Sequence, residues 1–294
     1  MILQKLQNKK LIHPPEFLLT NTAYLTIMGS QAYGVAKESS DTDIYGFCIP
    51  KKEDVFPHLR GEILDFGTQK QRFFCWQEHH IKDTDSEKEY DFQIYSIIRY
   101  FHLLMENNPN IIDSIFTPIN CVIHSTQIGN LVRDNRKSFI HKGLFHKFRG
   151  YSLSQIHKMK TKDPIGKRKE IRDQYGYDLK FATHVVRLLL ECEQLLETGD
   201  LDLQKGNEVL KSIRRGEWTE ESVKTWFEKK DKSLEELYSK SALPYGPNEE
   251  KIKKLLLQCL EIHYGSLSRA EIVIPNAERK ALEEIKDICN KLGV

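Results

Sequence analysis

The residues best suited to chemistry lie near the amino terminus, where Gly29-Ser30 is followed ten residues later by Asp41-Thr-Asp43. A glycine lets a backbone N–H approach a ligand closely, and the adjoining serine adds a hydroxyl donor, a pairing that suits phosphate oxygens. Asp41 and Asp43 stand two apart at the start of an apolar run, and in an extended strand that spacing puts both carboxylates on one face. Two like charges so placed repel unless a cation lies between them, and hard oxygen ligands suit Mg²⁺ or Mn²⁺. A phosphate grip beside a carboxylate pair is the equipment of two-metal phosphoryl transfer, so two ions are expected. Alone, Ser-Ser-Asp-Thr-Asp is also good turn chemistry. The Gly-Ser at this distance and the strand patterns on both sides favour catalysis.

Such residues need strands to aim them. Tyr24–Met28 reads as a strand ending at the Gly-Ser, and Asp43–Ile49 as a second, stopped by Pro50. The polar stretch Gln31–Ser40 between them has room for a helical turn and a loop. Glu87–Phe92 alternates as a third strand, and Gln93–Glu106 carries Ile94, Ile97, Ile98, Phe101, Leu104 and Met105 at helical spacing. Asn107-Asn-Pro109 ends that helix, since the residue before a proline is driven out of helical conformation. Beyond about residue 120 the pattern turns helical, with helices expected at Leu179–Thr198 before Gly199, Thr219–Ser241, Asn248–Tyr264 and Asn276–Leu292. The predicted class is α+β: a catalytic domain over 1–120, with a small mixed sheet flanked by helices, then an all-helical substrate-binding domain over 121–294.

The GS-x₁₀-D-x-D pattern running into an apolar strand resembles the signature of the DNA polymerase β-type nucleotidyltransferase superfamily. The fuller string GSQAYGVAKESSDTDIYGFCIP, with NNPNIIDSIF at 107–116, is similar to a branch of nucleotidyltransferases linked to RNA-repair pathways. The similarity extends to QYGYDLKFATHVVRLL at 174–189 and Glu197-Thr-Gly199. This resemblance implies a nucleoside triphosphate donor (ATP among the candidates), divalent metal at Asp41 and Asp43, and phosphate binding at Gly29 and Ser30. It also calls for a third carboxylate on a neighbouring strand, one that helps bind the catalytic metal and activates the acceptor hydroxyl. Glu87, Glu89 and Asp91 alternate along one strand face, and Asp91 is chosen because it directly precedes the expected helix, with Glu89 in reserve. Unless one of them serves, they form a solvated acidic edge. Gly34 fits a tight turn, and Tyr33 fits packing as well as substrate contact.

Lys180, His184 and Arg187 fall at i, i+4 and i+7 on one helix stripe. By resemblance this helix presents cations to the triphosphate; the alternative is a charged solvent face. Residues 142–180 hold eleven Lys or Arg against four acids, a local excess of seven positive charges. A basic loop here suits a polyphosphate or an RNA backbone, or is ordinary surface. His79, His80, Asp83 and Asp85 lack metal-ligand spacing and read as a polar loop. Arg136 and His141 match a short R-x₄-H ribonuclease pattern that chance produces often.

A net charge of +2 over 294 residues decides nothing about nucleic acid. No apolar run approaches the ~20 residues of a membrane span, and the first residues lack a signal-peptide pattern. The six cysteines contain no CxxC pair. A reduced, cytoplasmic protein with no membrane association is expected. The leading expectation is transfer of a nucleoside monophosphate to a hydroxyl, an RNA 3′ end by resemblance, with release of pyrophosphate. Modification of a protein or small molecule by the same site, and a non-catalytic nucleotide- or RNA-binding module, are the alternatives.

Overall fold

In the computed structural model, which describes residues 1–36, 41–161, 166–267, 284–286 and 288–289, helices α1 (Ile2–Asn8) and α2 (Leu18–Asn21) precede strand β1 (Thr22–Ile27). A helical turn, α3 (Gly29–Ala32), leads towards β2 (Thr42–Cys48), and α4 (Lys52–Val55) to the hairpin of β3 (Cys75–Asp83) and β4 (Lys88–Ser96). Helices α5 (Ile97–Met105) and α6 (Pro109–Phe116), strand β5 (Val122–Ser125) and helix α7 (Gln127–Asp134) follow. The helical remainder comprises α8 (Leu144–Thr161), α9 (Lys167–Tyr175), α10 (Leu179–Thr198), α11 (Asn207–Arg214), α12 (Glu220–Lys240) and α13 (Glu249–Tyr264).

The strands form one mixed sheet in the order β3-β4-β2-β1-β5, with β2 and β4 parallel and the other pairs antiparallel. The predicted α+β class is therefore what the chain adopts. Period-two alternation gives the sheet two different faces. Ile44 and Cys48 of β2 and Tyr90, Phe92 and Ile94 of β4 pack with Leu3 and Leu6 of α1, together with Ile12 and Leu18. On the opposite face, Phe47 is fully buried against Tyr24 and Tyr100, with ring centroids 5.8 and 4.8 Å away. That face joins the larger core, to which α5, α6, α8 and α10 contribute. A buried side chain of this size stabilises by about 1.5–3 kcal/mol. Asp43, Tyr45 and Phe47 share the latter face, so one strand runs from an acid to the middle of the core.

Several boundaries differ from the sequence reading. The third expected strand continues to Ser96, and its helix begins at Ile97, not Gln93, because Gln93 and Tyr95 stay in register with Tyr45 and Phe47. Ser96 then caps the helix by accepting from the Arg99 N–H at 3.2 Å. His79 and His80 lie in β3, not in a loop. The described part of the expected basic loop is helical, in α8 and α9. β5 and α7 follow residue 120 in sequence yet contact β1, so the sheet draws on both sides of that position. Helix α10 matches its expected span, capped by Asp178 and ended by left-handed Gly199. Most of the expected helix over 276–292 lies outside the described residues, as do residues 37–40. No helix among the described residues is long and apolar enough to cross a membrane.

Candidate active site

Asp43 and Asp91 are cross-strand partners in the parallel β2–β4 ladder and share a face. Asp43 is anchored through its backbone, since its carbonyl accepts the Met28 N–H at 2.7 Å. Gly29 follows with φ of 65°, and a Cβ placed on it would sit 2.2 Å from Asp43 Oδ2. Only glycine satisfies both the left-handed backbone and the close carboxylate. The Gly-Ser and the Asp-x-Asp are therefore one contact, which accounts for their occurring together. Ser30 lies in the same turn, and both residues line the cleft described below.

Asp91 is held by a β-bulge. Glu78 pairs with Phe92 and Ile81 with Tyr90, so His79 and His80 together face the single residue Asp91. His80 has φ of 58°, and its N–H donates to Asp91 Oδ1 at 2.7 Å. His79 Nδ1 lies 3.6 Å from the same oxygen. Bulges re-aim side chains and concentrate beside active sites. Asp91 does not directly precede a helix, as the sequence reading supposed; it sits in mid-strand. Glu89 is engaged instead by His80 Nδ1 at 2.8 Å, which raises the His80 pKa. Glu87 falls in the hairpin turn, with φ of 53°.

Burial, then the charges of Asp91 and Asp41, raises the Asp43 pKa, while Lys180 and His79 act against the shift. Burial and the nearby Asp43 and Asp91 push the Tyr45 hydroxyl up to about 12. Asp41 is exposed at the start of β2.

These acids open onto a cleft of about 540 Å³, with Gly29, Ser30, Asp41 and Asp43 on one side and Lys180, His184, Arg187 and Arg214 on the other. Asp91 is not part of that lining and lies beside Asp43 in the sheet. The helix stripe reaches the cleft as expected, but its three members are not equivalent cations. Lys180 is exposed. His184 is neutral, its pKa lowered to about 3 by burial and by Arg187 and Lys180. Arg187 is buried, neither on a solvent face nor free. Its Nη1 donates to Asp113 Oδ2, and to both Glu191 oxygens at 2.9 and 3.0 Å. Burial pushes the Glu191 carboxyl up to about 8, assisted by Asp113 and opposed by Arg187.

Sequence reasoning overlooked Asp113 and Arg214, and it read His79 as part of a polar loop. A lone acid in the apolar run IIDSIF was the available signal, because buried carboxylates require partners. Arg214 donates to the Val35 carbonyl and lines the cleft. Asp178 caps α10 through the N–H groups of Lys180 and Phe181, and pairs with Arg168 at 2.9 Å. Two cations of the basic segment are paired with acids outside it: Lys147 meets Glu106, and Arg149 meets Asp231 and Glu235. Asp83 and Asp85 both pair with Lys9. Arg136 stacks on Phe116, and buried His141 donates to the Met105 carbonyl while accepting from the Gly143 N–H, so both are structural.

Residues 3–244 match the model of the RNA repair pathway DNA polymerase beta family, RlaP. The chain belongs to this family. Membership identifies a polymerase β-type nucleotidyltransferase associated with RNA repair, as the Gly-Ser and Asp-x-Asp motifs suggested. A crystal structure of a nucleotidyltransferase-like protein from Exiguobacterium sibiricum 255-15 aligns over 88% of this chain and 72% of its own, with 10% identity and a TM-score of 0.29. No protein of curated function matches in sequence.

Proposed function

We propose that the protein transfers a nucleoside monophosphate from a nucleoside triphosphate to a hydroxyl, an RNA 3′ end being the favoured acceptor. The observation that carries this reading is the Asp43–Asp91 cross-strand pair, with the Gly29 backbone against one carboxylate and the cleft in front of it. The acceptor oxygen bonds to the α-phosphorus, the bond to the β-phosphate breaks, and pyrophosphate leaves. Gly29 and Ser30 hold the terminal phosphates, and Lys180 and Arg214 supply positive charge from the facing helices. His184, with its pKa lowered, and Arg187, whose charge is taken up by Asp113 and Glu191, shape the wall without adding positive charge. Asp91, oriented by the His80 N–H, accepts the proton of the acceptor hydroxyl.

Mg²⁺ or Mn²⁺ fits the donor set. Among the described residues no three His, Cys, Asp or Glu side chains form a self-sufficient metal cluster. Mg²⁺, however, is commonly held by one or two carboxylates together with substrate phosphates and water. Asp43, raised by burial and then by its acidic neighbours, would be favoured in its charged form by a cation. Asp41, Asp43 and Asp91 would hold two ions, which would neutralise phosphate charge and favour the alkoxide.

Incubation with each labelled nucleoside triphosphate, Mg²⁺ or Mn²⁺, and RNA, DNA or protein acceptors tests the reading. Label on RNA 3′ ends is expected. Label on protein would reassign the acceptor, and binding without transfer in every combination would end the enzymatic assignment.

A further inference from the structure

Tyr33 closes the turn that begins at Gly29. The N–H groups of Tyr33, Gly34 and Val35 donate back to the carbonyls of Gly29, Gln31 and Ser30 at 3.2, 3.1 and 2.9 Å. The Tyr33 hydroxyl leaves this turn and donates to Asp113 Oδ2 at 2.7 Å, while its ring lies 4.4 Å from the Arg187 guanidinium. Arg187 grips the same Asp113 oxygen, and its side chain and that of Asp113 are 6% and 0% exposed. A continuous chain of contacts thus runs from α10, through α6, to the glycine-serine turn.

This cluster is an expensive way to fill a core. Buried ion pairs are often no more stable than apolar groups of the same volume, and here Asp113 Oδ1 and Arg187 Nε are buried without a hydrogen-bond partner. Nor is Arg187 well placed to serve a phosphate, since two carboxylates already share its charge. What the cluster does accomplish is to pin one hydroxyl, and that hydroxyl belongs to the turn.

We propose that Arg187 and Asp113 are positioning residues which, through the Tyr33 hydroxyl, lock the Gly29–Val35 turn in the shape that grips nucleotide phosphates. This rests on the turn being the phosphate grip, as proposed above. Arg187 acts on the nucleotide through Tyr33 and not by touching it.

The test uses the full chain with Tyr33→Phe, which removes only the hydroxyl; Arg187→Lys, which keeps charge but loses the planar fork; and the double variant. Asp113→Asn replaces Arg187→Lys if the latter fails to fold. Backbone amide exchange at Tyr33, Gly34 and Val35 is measured in the nucleotide-free protein, alongside nucleoside triphosphate affinity, KM, kcat and melting temperature. Each single variant is expected to speed exchange in the turn and weaken nucleotide binding by about tenfold, the scale of one buried hydrogen bond to a charged group. The double variant should bind no more weakly than the worse single, because both cut the same strut. At saturating nucleotide, kcat should stay within about twofold, placing the loss in KM. A merely structural cluster would lower the melting temperature without changing affinity well below it. Unchanged exchange and affinity in Tyr33→Phe, or losses that multiply in the double variant, would overturn the proposal. If the wild type binds no nucleotide while exchange still responds, the strut stands and the proposed function falls. If the wild type binds nucleotide and Tyr33→Phe changes nothing, the reverse holds.

Discussion

Two groups of carboxylates lie in the elements around this cleft and are managed in opposite ways. Asp113 and Glu191 are buried together and share one internal guanidinium, that of Arg187. Asp43 and Asp91 face each other across two strands, and among the described residues no Lys or Arg forms an ion pair with either; His79 and the His80 N–H lie against Asp91, and Lys180 acts on Asp43 from the same cleft. The first group carries its own counter-charge and is architecture. In the second, burial and then the charges of Asp91 and Asp41 raise the Asp43 pKa, and under the proposed function its counter-charge arrives with a ligand. An internal cation is thus what distinguishes an acid pair that holds the fold from one that awaits chemistry.

The comparison breaks most visibly at Asp43. Asp43→Ala should reduce nucleotide transfer by about a thousandfold or more, because several kcal/mol of phosphoryl-transfer stabilisation depend on metal held there. Its melting temperature should hold or rise slightly, since a repelling charge is removed. Wild-type turnover in this variant would put the acids outside the catalytic centre. The buried group should respond in reverse. Arg187→Met strands two carboxylates in the core, and denaturant unfolding should show a loss of about 3–5 kcal/mol. A loss as small as that of a surface substitution would mean that the pair carries no charge in the fold.

Gly29→Ala should act on both properties more weakly. It forces an L side chain into a left-handed backbone, at about 1–2 kcal/mol, and drives the new Cβ against Asp43 Oδ2. Transfer should fall further than the stability loss explains, and comparison of kcat with melting temperature separates the two. The smallest effect belongs to His184, whose pKa is about 3 in the fold against an ordinary 6.5. Between those values the unfolded chain binds the extra proton, so stability is full above pH 6.5 and falls as pH drops towards 3. His184→Gln should flatten that part of a stability–pH curve. An unchanged slope would mean that His184 is solvated and free to take a proton.

Much of this was legible locally. Helix α10 was readable because its apolar period, the Asp178 cap and Gly199 all lie within one stretch of chain. The Gly-Ser and Asp-x-Asp pairing was readable because both residues of the contact sit on consecutive elements. The third acid was chosen for a reason that did not hold: Asp91 lies in mid-strand, and what supports proposing it over Glu89 is its register with Asp43 and the bulge at His79–His80. The acids that Arg149 and Lys147 meet lie far along the chain, beyond the reach of a local charge count over 142–180.

By itself, then, the sequence determined the α+β class, the Gly29-Ser30 turn and the Asp41-x-Asp43 motif that meets it, all properties of neighbouring residues whose backbone periods and chemistry need no distant partner. Only the tertiary structure decided which carboxylate stands opposite Asp43, that burial and neighbouring cations lower the His184 pKa, and that Arg187 is bound to Asp113. Each of these depends on burial and on charges brought within a few ångströms from elements many residues apart, and neither quantity is encoded in the spacing along a single element.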